Sequence, residues 1–342
     1  MKSDIKSLSP TDLEAYFASI GERPFRAEQV FRWLHDCATA FSEMTNLSEA
    51  LRQRLSDEFY ISAPEMLQKQ ASKIDGTVKY LWRFDDGNSI ESVLMEYEHG
   101  LTVCISTQVG CRMGCAFCAS TIGGLERNLA ASEMLDQILF SQRDAGKRIS
   151  NVVLMGIGEP LDNFENVMKF LELATHPLGL NIGTRHISLS TCGIVEKIDK
   201  MAELDIKSTL AVSLHAPDDE TRSRLMPINS SGGVAELFSA CERYFAATGR
   251  RVTYEYAMIG GVNDYSWQAE LLADRLAHSG SHLNLILLNE VPERGFAPCG
   301  KASFDAFTRV LKDRGVNYTL RRRLGGDIDA ACGQLRRRKG MA

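Results

Sequence analysis

The chain has 342 residues, of which 44% are hydrophobic and 24% are charged, and its formal net charge is −5. This composition is ordinary for a globular protein, and the length allows one large domain and a small one. The negative net charge excludes a surface that is basic overall. No apolar run approaches the roughly 18 residues of a membrane span, and the first residues lack a signal-peptide pattern. We therefore expect a cytoplasmic protein with no membrane partner.

The charge is unevenly distributed, since residues 312–342 contain nine basic and three acidic residues. A basic segment on an acidic protein favours a local contact with a polyanion. A solvated tail would have the same composition, so charge alone does not decide between the two.

Residues 1–60 predict a small helical N-terminal domain. Ser9 followed by Pro10 is typical of a helix start. Apolar residues recur at helical spacing over residues 25–34 and 51–55.

Residues 61–100 predict a β extension. Residues 78–84 alternate between apolar and polar and end at a turn signal, Asp85 to Asn88, after which residues 89–97 form a second strand pattern. This arrangement indicates a β-hairpin.

Residues 101–322 alternate short apolar strands with helical patterns, such as a helix over residues 132–143 opened by Ser132. Alternation at this spacing predicts parallel βαβ units. The fold class is therefore α/β, and six or more such units suggest a complete or partial (β/α) barrel. We expect a partial (β/α)6 barrel, followed by a C-terminal loop and tail over residues 323–342. In such barrels the chemistry lies on loops after the strand C-termini. The strand candidates are residues 101–107, 152–155, 186–190, 209–214, 252–257, 283–288 and 316–320.

Three of the nine cysteines, Cys111, Cys115 and Cys118, have CxxxCxxC spacing on one predicted loop. An odd number of cysteines in a long chain without an export signal argues against a disulfide framework. Three thiolates suit three corners of a cubane cluster and leave one iron open. Zinc is the alternative, but a structural zinc site takes four ligands, and only Cys104 is near enough in sequence to complete one.

The triplet, with Phe117 before its last cysteine, resembles the radical S-adenosylmethionine (SAM) superfamily. That resemblance implies a 4Fe-4S cluster on the three cysteines, with the open iron holding the amino and carboxylate groups of SAM. It also implies a reducing electron donor, flavodoxin-like or similar, because reduction of the cluster cleaves SAM to a 5′-deoxyadenosyl radical.

The segment from Met155 to Pro160 resembles the superfamily's GGEP motif, which binds the amine of the methionine moiety. Gly158 permits close backbone approach, and the Glu159 carboxylate can accept from an ammonium group. Taken alone, the segment is also typical of a plain turn after a strand. The resemblance adds further cofactor-binding candidates at later strand ends, each weak in isolation: Ser190, Ser213, Leu214, His215 and Asn289.

The C-terminal run from Gly325 to Leu335, with Cys332, resembles the RlmN-type family of 23S rRNA and tRNA adenine C-2 methyltransferases. Cys104 and residues 25–34 and 225–229 also resemble that family. It implies that Cys332 becomes S-methylated and that two SAM molecules are consumed per methylation. A methylene radical on Cys332 then adds to carbon 2 of adenine.

The same resemblance assigns two further catalytic residues. Glu91 removes the proton from carbon 2, and Cys104 attacks the sulfur of Cys332, forming a transient disulfide that releases the methylated base. The implied substrates are 23S rRNA and tRNA, with a flipped-out adenine, and we expect a monomer. The helical N-terminal region and the C-terminal arginines are the expected RNA surfaces. The other cysteines are expected to pack or to have no role: Cys37, Cys192, Cys241 and Cys299.

Two alternatives stay open. The sister family that methylates carbon 8 of the same rRNA adenine shares the cysteines, but it has alanine where Pro160 stands here, which favours carbon 2. A non-catalytic, zinc-stabilised RNA-binding protein is the alternative from another functional class.

Overall fold

The computed structural model describes residues 2–277 and 279–336. Arg337, Arg338 and Lys339 of the basic segment lie outside the described residues. No helix within this part of the chain has both the length and the apolar character needed to cross a lipid bilayer.

The N-terminal region is helical, as predicted, with α1 (Pro10–Ser19), α2 (Phe25–His35) and α3 (Glu49–Glu58). Helix α1 begins where the sequence indicates. The Ser9 hydroxyl accepts from the Asp12 amide, and the Asp12 carboxylate accepts from the Ser9 amide, which forms a capping box. Short strands β1 (Ser3–Asp4) and β2 (Phe59–Tyr60) pair in parallel and join the two ends of this region.

A β extension follows, consisting of β3 (Glu65–Ala71), β4 (Val78–Arg83) and β5 (Ser89–Tyr97). The hairpin of β4 and β5 is predicted by its alternation and turn. Strand β3 pairs antiparallel with β4 and has no such signal, because its residues are mostly polar and half-buried or exposed. The extension joins the rest of the sheet through antiparallel pairing of β5 with β6 (Gly100–Cys104).

Seven parallel strands form the barrel-like part of the sheet, which confirms the predicted fold class. The first is β6. The other six lie side by side in the sheet in the order in which they occur in the chain: β9 (Ile149–Leu154), β10 (Ile187–Thr191), β11 (Thr209–Ser213), β12 (Thr253–Met258), β13 (His282–Leu287) and β14 (Tyr318–Leu320). Six helical crossovers link them, which gives six β/α units and a short closing strand. The barrel is partial because β14 and β3 are the two edges of the ten-stranded sheet. The antiparallel pair β7 (Gln108–Gly110) and β8 (Leu125–Asn128) brackets the loop with the cysteine triplet.

Helices cover the outer face of these strands. Their bounds are α4 (Ala131–Ala145), α5 (Phe164–Thr175), α6 (Val195–Glu203), α7 (Asp219–Leu225), α8 (Gly233–Thr248), α9 (Ser266–Leu276) and α10 (Lys301–Asp313). The prediction that Ser132 opens α4 is wrong. The Glu133 carboxylate accepts from the Ala130 amide at 2.8 Å instead, and the Ser132 side chain is fully buried.

A buried ion pair joins the N-terminal region to the barrel. Lys6 contacts Asp136 of α4, and their side chains are 3% and 0% exposed. The Ser62 hydroxyl donates to the second Asp136 oxygen at 2.6 Å. Apolar residues of the N-terminal helices and of the barrel belong to one continuous core. The domain bounds proposed from the sequence, at residues 60, 100 and 322, stay a prediction.

We predict that Lys6→Met lowers the free energy of unfolding by about 3 to 5 kcal/mol, because it leaves a charged carboxylate buried without its cation. Urea unfolding followed by circular dichroism measures this. The double variant Lys6→Met with Asp136→Leu removes both charges and should recover most of the loss. If the double variant were as unstable as the single one, the charge of Asp136 would not be the cause.

Candidate active site

A cleft lies where the parallel strands end, and it encloses about 990 Å³ including its open mouth. This is the end of a β/α barrel at which enzymes of this architecture bind substrates. Ten of the predicted site residues line the cleft: Cys111, Cys115, Cys118, Gly158, Glu159, Ser190, Ser213, His215, Asn289 and Cys332.

Three predicted residues do not line the cleft. The Leu214 side chain is fully buried in the core. Cys104 is 7% exposed at the end of β6, and Glu91 is 1% exposed within β5. The structure therefore places Glu91 and Cys104 behind the cleft wall, in the antiparallel seam between the extension and the barrel.

The loop with the cysteine triplet is fixed at several points. Gly110, with φ +79°, lies so close to the neighbouring strand that a Cβ would be 2.0 Å from the Gly124 carbonyl oxygen. The Ala116 amide donates to the Leu225 carbonyl at 2.8 Å, and Arg294 Nε donates to the Cys118 carbonyl at 3.2 Å. The loop is thereby held against α7 and the segment after β13.

The three thiols lie in surroundings that disfavour free thiolates. Burial raises the pKa of Cys111 to about 12 and also raises the pKa of Cys118. A bound cation reverses this preference, because thiolates are the species that ligate metals. The triplet therefore suits a metal centre better than it suits a reactive free thiol.

The arrangement favours a cluster over a single zinc ion. The three thiols of the triplet line one cleft. A structural zinc ion takes four protein ligands, whereas a cubane takes each of three thiolates on a separate iron and leaves the fourth iron open. Three thiols therefore suit a cluster, while a zinc ion would need a fourth ligand.

Glu159 links two loops of the cleft. Its carboxylate is 4% exposed and accepts from the Leu161 amide at 3.0 Å and from the Cys192 amide at 2.7 Å. Burial raises its pKa, and the backbone donors oppose that change. Glu159 and Asn289 both line the cleft. The oriented Glu159 carboxylate is suited to accept hydrogen bonds from the ammonium group of a ligand. Asn289 Oδ1 is buried and has no hydrogen-bond partner among the described residues, so it is an acceptor available for a ligand.

His215 is held as a neutral ring. Its backbone is in the left-handed region, with φ +55°, and its Nδ1 accepts from the Ala257 amide at 2.9 Å. Burial, with a smaller contribution from the positive charge of Arg222, lowers the pKa of His215 to about 3. Since Nδ1 is the acceptor, the proton of the neutral ring is on Nε2, and His215 is a hydrogen-bond donor to the cleft.

Arg222 is the main structural residue that the sequence did not reveal. It is 2% exposed, and its guanidinium donates to the carbonyls of Cys192 at 2.7 Å, Leu214 at 3.1 Å and Ser213 at 3.2 Å. It also donates to Asn229 Oδ1 at 2.8 Å. Its position in the charged helix α7 gives no signal that distinguishes it from a surface arginine.

Cys104 and Cys332 interact across the cleft wall. Burial, and then the neighbouring Cys332, raise the pKa of Cys104 to about 12, while Arg321 opposes the change. Both thiols are free in the structure. Arg321 lines the same cleft, with Nη1 3.7 Å from Glu255 Oε2. The sequence could have indicated Glu255 as an acid within an apolar strand, whereas Arg321 was counted only as part of the basic segment.

The Glu91 carboxylate contacts a lysine and a backbone amide. Lys79 Nζ lies 3.7 Å from Glu91 Oε1, and the Arg336 amide donates to Glu91 Oε2 at 3.0 Å. The carboxylate is therefore covered by the end of the described chain.

We predict that Gly158→Ala lowers the free energy of unfolding by roughly 2 to 4 kcal/mol. Gly158 has φ +110°, and a Cβ would lie 2.6 Å from the Gln108 Cβ. Gly87→Ala is the matched control, since Gly87 has φ +79° but nothing within 4 Å, and it should lose only about 1 kcal/mol. Urea unfolding of both variants measures the difference. Equal losses would show that contact with Gln108 imposes no constraint.

A family model for the ribosomal RNA large subunit methyltransferase N-terminal domain matches residues 3–61, and the radical SAM superfamily model matches residues 105–271. A radical SAM methyltransferase from Sphaerobacter thermophilus of known crystal structure is 41% identical. It superposes with a TM-score of 0.92, over 97% of this chain and 99% of that one.

Curated relatives match over nearly their whole length. A probable dual-specificity RNA methyltransferase RlmN from Lachnospira eligens is 50% identical over 335 residues, covering 98% of this chain and 96% of the relative. A protein of the same description from Alkaliphilus oremlandii is 50% identical over 337 residues, covering 98% of each. On this evidence the chain belongs to the RlmN family of radical SAM, dual-specificity RNA methyltransferases, which use a 4Fe-4S cluster and SAM.

Proposed function

We propose that this chain methylates carbon 2 of an adenosine in 23S rRNA and of an adenosine in tRNA, with Cys332 as the methyl carrier. The observation that carries the proposal is the position of Cys332. It lines the same cleft as the cysteine triplet and Glu159, and it lies beside the buried Cys104.

Cys111, Cys115 and Cys118 would hold the cluster. The SAM-binding residues would be Gly158, Glu159, Ser190, Ser213, Leu214, His215 and Asn289, with Leu214 contributing through its backbone because its side chain is in the core. When bound, the cluster and SAM supply a methyl group and the one-electron chemistry that activates it.

A carrier thiol is needed because carbon 2 of adenine is not a nucleophile and does not attack the sulfonium of SAM directly. The Cys332 thiolate is a good nucleophile and takes up the methyl group first. The one-electron chemistry that SAM would supply removes a hydrogen atom from the S-methyl group. The remaining methylene carbon, still bonded to the Cys332 sulfur, would then bond to carbon 2 of the base, which gives a covalent link between the chain and the RNA.

Glu91 would remove the proton from carbon 2, and Cys104 would then attack the Cys332 sulfur. This attack forms a disulfide between the two cysteines and releases the methylated base. A cellular thiol system must reduce the disulfide before the next turnover. The Arg336 amide must also leave Glu91, because it occupies the carboxylate in the structure.

The RNA must present an unstacked adenine. The N-terminal helices and the basic C-terminal segment are the proposed RNA surfaces. Within the described chain, Arg323 and Arg336 line a groove that also contains Glu290, Glu293 and Asp329. We further propose that the protein acts as a monomer in the cytoplasm and receives electrons from a flavodoxin-like donor. Pro160 after Glu159 favours carbon 2 over carbon 8.

The decisive experiment is anaerobic reconstitution with iron and sulfide, followed by incubation with RNA and SAM that has a deuterated methyl group. We expect 2-methyladenosine with the label at carbon 2, identified by mass spectrometry and NMR of the nucleosides. A hydrogen retained at carbon 2 with label at carbon 8 would establish the sister activity instead.

We predict that Cys332→Ala lowers methylated product to background while the reconstituted protein keeps its absorbance near 400 nm, because the cluster ligands are intact. Cys299→Ala is the matched control, since Cys299 is also a partly exposed, free cysteine but does not line the cleft, and it should keep full turnover. Full activity of Cys332→Ala would refute a carrier thiol.

We predict that Cys104→Ala accumulates chain covalently attached to RNA, because no thiol remains to attack the Cys332 sulfur. Denaturing gel electrophoresis with labelled RNA detects the adduct as a shifted band that nuclease removes. The variant with both Cys104→Ala and Cys332→Ala should form no adduct. An adduct in that double variant would mean that another residue binds the base.

A further inference from the structure

Residues 325–336, here called the Cys332 segment, are fastened to the β extension by two aspartates. The Asp327 carboxylate accepts from the Ser72 hydroxyl at 2.7 Å and from the Lys73 amide at 3.0 Å. In return, the Asp75 carboxylate accepts from the Gly325 amide at 2.9 Å. Each carboxylate thus binds the other segment, and the donors are backbone amides and one short side chain, which have little freedom to move.

These hydrogen bonds, here called the clasp, join the Cys332 segment to the turn between β3 and β4, residues 72–77. This turn is also stabilised by hydrogen bonds of its own. The Asp75 carboxylate also accepts from the Thr77 amide at 3.0 Å. The Ser72 amide donates to the Thr77 carbonyl at 2.7 Å, so the turn is closed by its own backbone. Burial opposes ionisation of Asp75, but the hydrogen bonds that its carboxylate accepts outweigh burial and lower its pKa. The bonds that the Asp327 carboxylate accepts from Ser72 and Lys73 lower the pKa of Asp327 as well.

The other side of Cys332 is fastened to the cluster loop. The Ala119 amide donates to the Gly333 carbonyl at 2.8 Å, and the Ser120 hydroxyl donates to the Leu335 carbonyl at 2.7 Å. The Asn289 amide group donates to the carbonyl of Cys332 itself at 3.1 Å. Cys332 therefore lies between one anchor on the barrel and a second anchor on the extension.

We propose that Asp327 is a positioning residue that, with Ser72 and Asp75, holds the Cys332 thiol at the cleft. This inference rests on the proposed role of Cys332 as the methyl carrier. The inference also gives a structural role to β3, the strand added to the predicted hairpin, because β3 ends directly before this turn.

The two contacts of the Cys332 segment differ in their exposure to solvent. The Asp327 side chain is exposed, whereas the bonds on the cluster-loop side involve buried partners such as Ser120 and Leu335. Water competes for exposed hydrogen bonds, so the clasp on the extension opens more readily than the anchor on the barrel. The Cys332 segment therefore separates from the β3–β4 turn more readily than from the cluster loop.

The test measures the accessibility of Cys332 in the reconstituted protein without RNA. After reduction, the chain is treated with iodoacetamide, and the rate of alkylation at Cys332 is followed by peptide mass spectrometry. We expect Asp327→Ala to raise this rate roughly three- to tenfold, the change that loss of one or two exposed hydrogen bonds gives. Ser72→Ala should give a smaller rise, and Ser72→Thr, which keeps the hydroxyl, should restore the original rate.

Asp329→Asn is the matched control, because the Asp329 carboxylate makes no hydrogen bond or ion pair within the described chain and asparagine tolerates its φ of +50°. It should leave the alkylation rate and iron content unchanged. In Asp327→Ala, faster hydrogen exchange should be confined to residues 325–336 and 72–77, and methylation should lose kcat while KM for SAM is retained.

An unchanged alkylation rate in Asp327→Ala would overturn the inference, as would faster exchange throughout the chain with a lowered melting temperature. A failure of the proposed function is distinguishable, since it would appear as absence of 2-methyladenosine with the unaltered chain, whatever the alkylation rates.

Discussion

A single buried guanidinium holds the cleft in shape. Arg222 donates to carbonyl groups of the loops after β10 and β11, and it also donates to the side-chain oxygen of Asn229. Its acceptors are neutral, so its charge is not compensated by a direct carboxylate contact, and burial lowers its pKa. Such a cation is costly in a protein interior. A site that gathers negative charge from thiolates and a ligand carboxylate offsets that cost, which links the stability of the loops to occupancy of the cleft.

The cleft and the extension have separate functions in the proposed reaction. The ends of the parallel strands supply the cysteine loop, Glu159 and Asn289, whereas β5 supplies Glu91 and the turn before β4 secures the Cys332 segment. Cys104, at the end of β6, pairs with Val93 of β5 where these two parts meet. The proposed resolving thiol and the proposed base therefore both lie where the extension joins the barrel, and the proposed reaction requires the Cys332 segment to move between them.

The sequence predicted what depends on local spacing. The helix start at Ser9, the hairpin of β4 and β5, the cysteine triplet and the polar residues at strand ends all follow from patterns of a few residues. It did not predict contacts made over long separations. Arg222 and Arg321 resemble surface arginines in sequence, and the burial of Glu91 depends on Lys79 across the hairpin and on Arg336 at the far end of the chain. The polar strand β3 lacked any periodic signal because one edge of the sheet faces solvent.

The burial of Cys104 also gives an order to the proposed steps. Only a thiolate attacks a sulfur atom, and burial raises the pKa of Cys104 to about 12, so its thiol form dominates at neutral pH. Cys332 is less buried and lines the open cleft. The proposed carrier is therefore the more available of the two thiols for alkylation, while burial favours the protonated form of the proposed resolving thiol, which does not line the cleft. Arg321 opposes the effect of burial on the pKa of Cys104 and lines the same cleft as Cys332. Its charge therefore favours the Cys104 thiolate that the proposed release step requires.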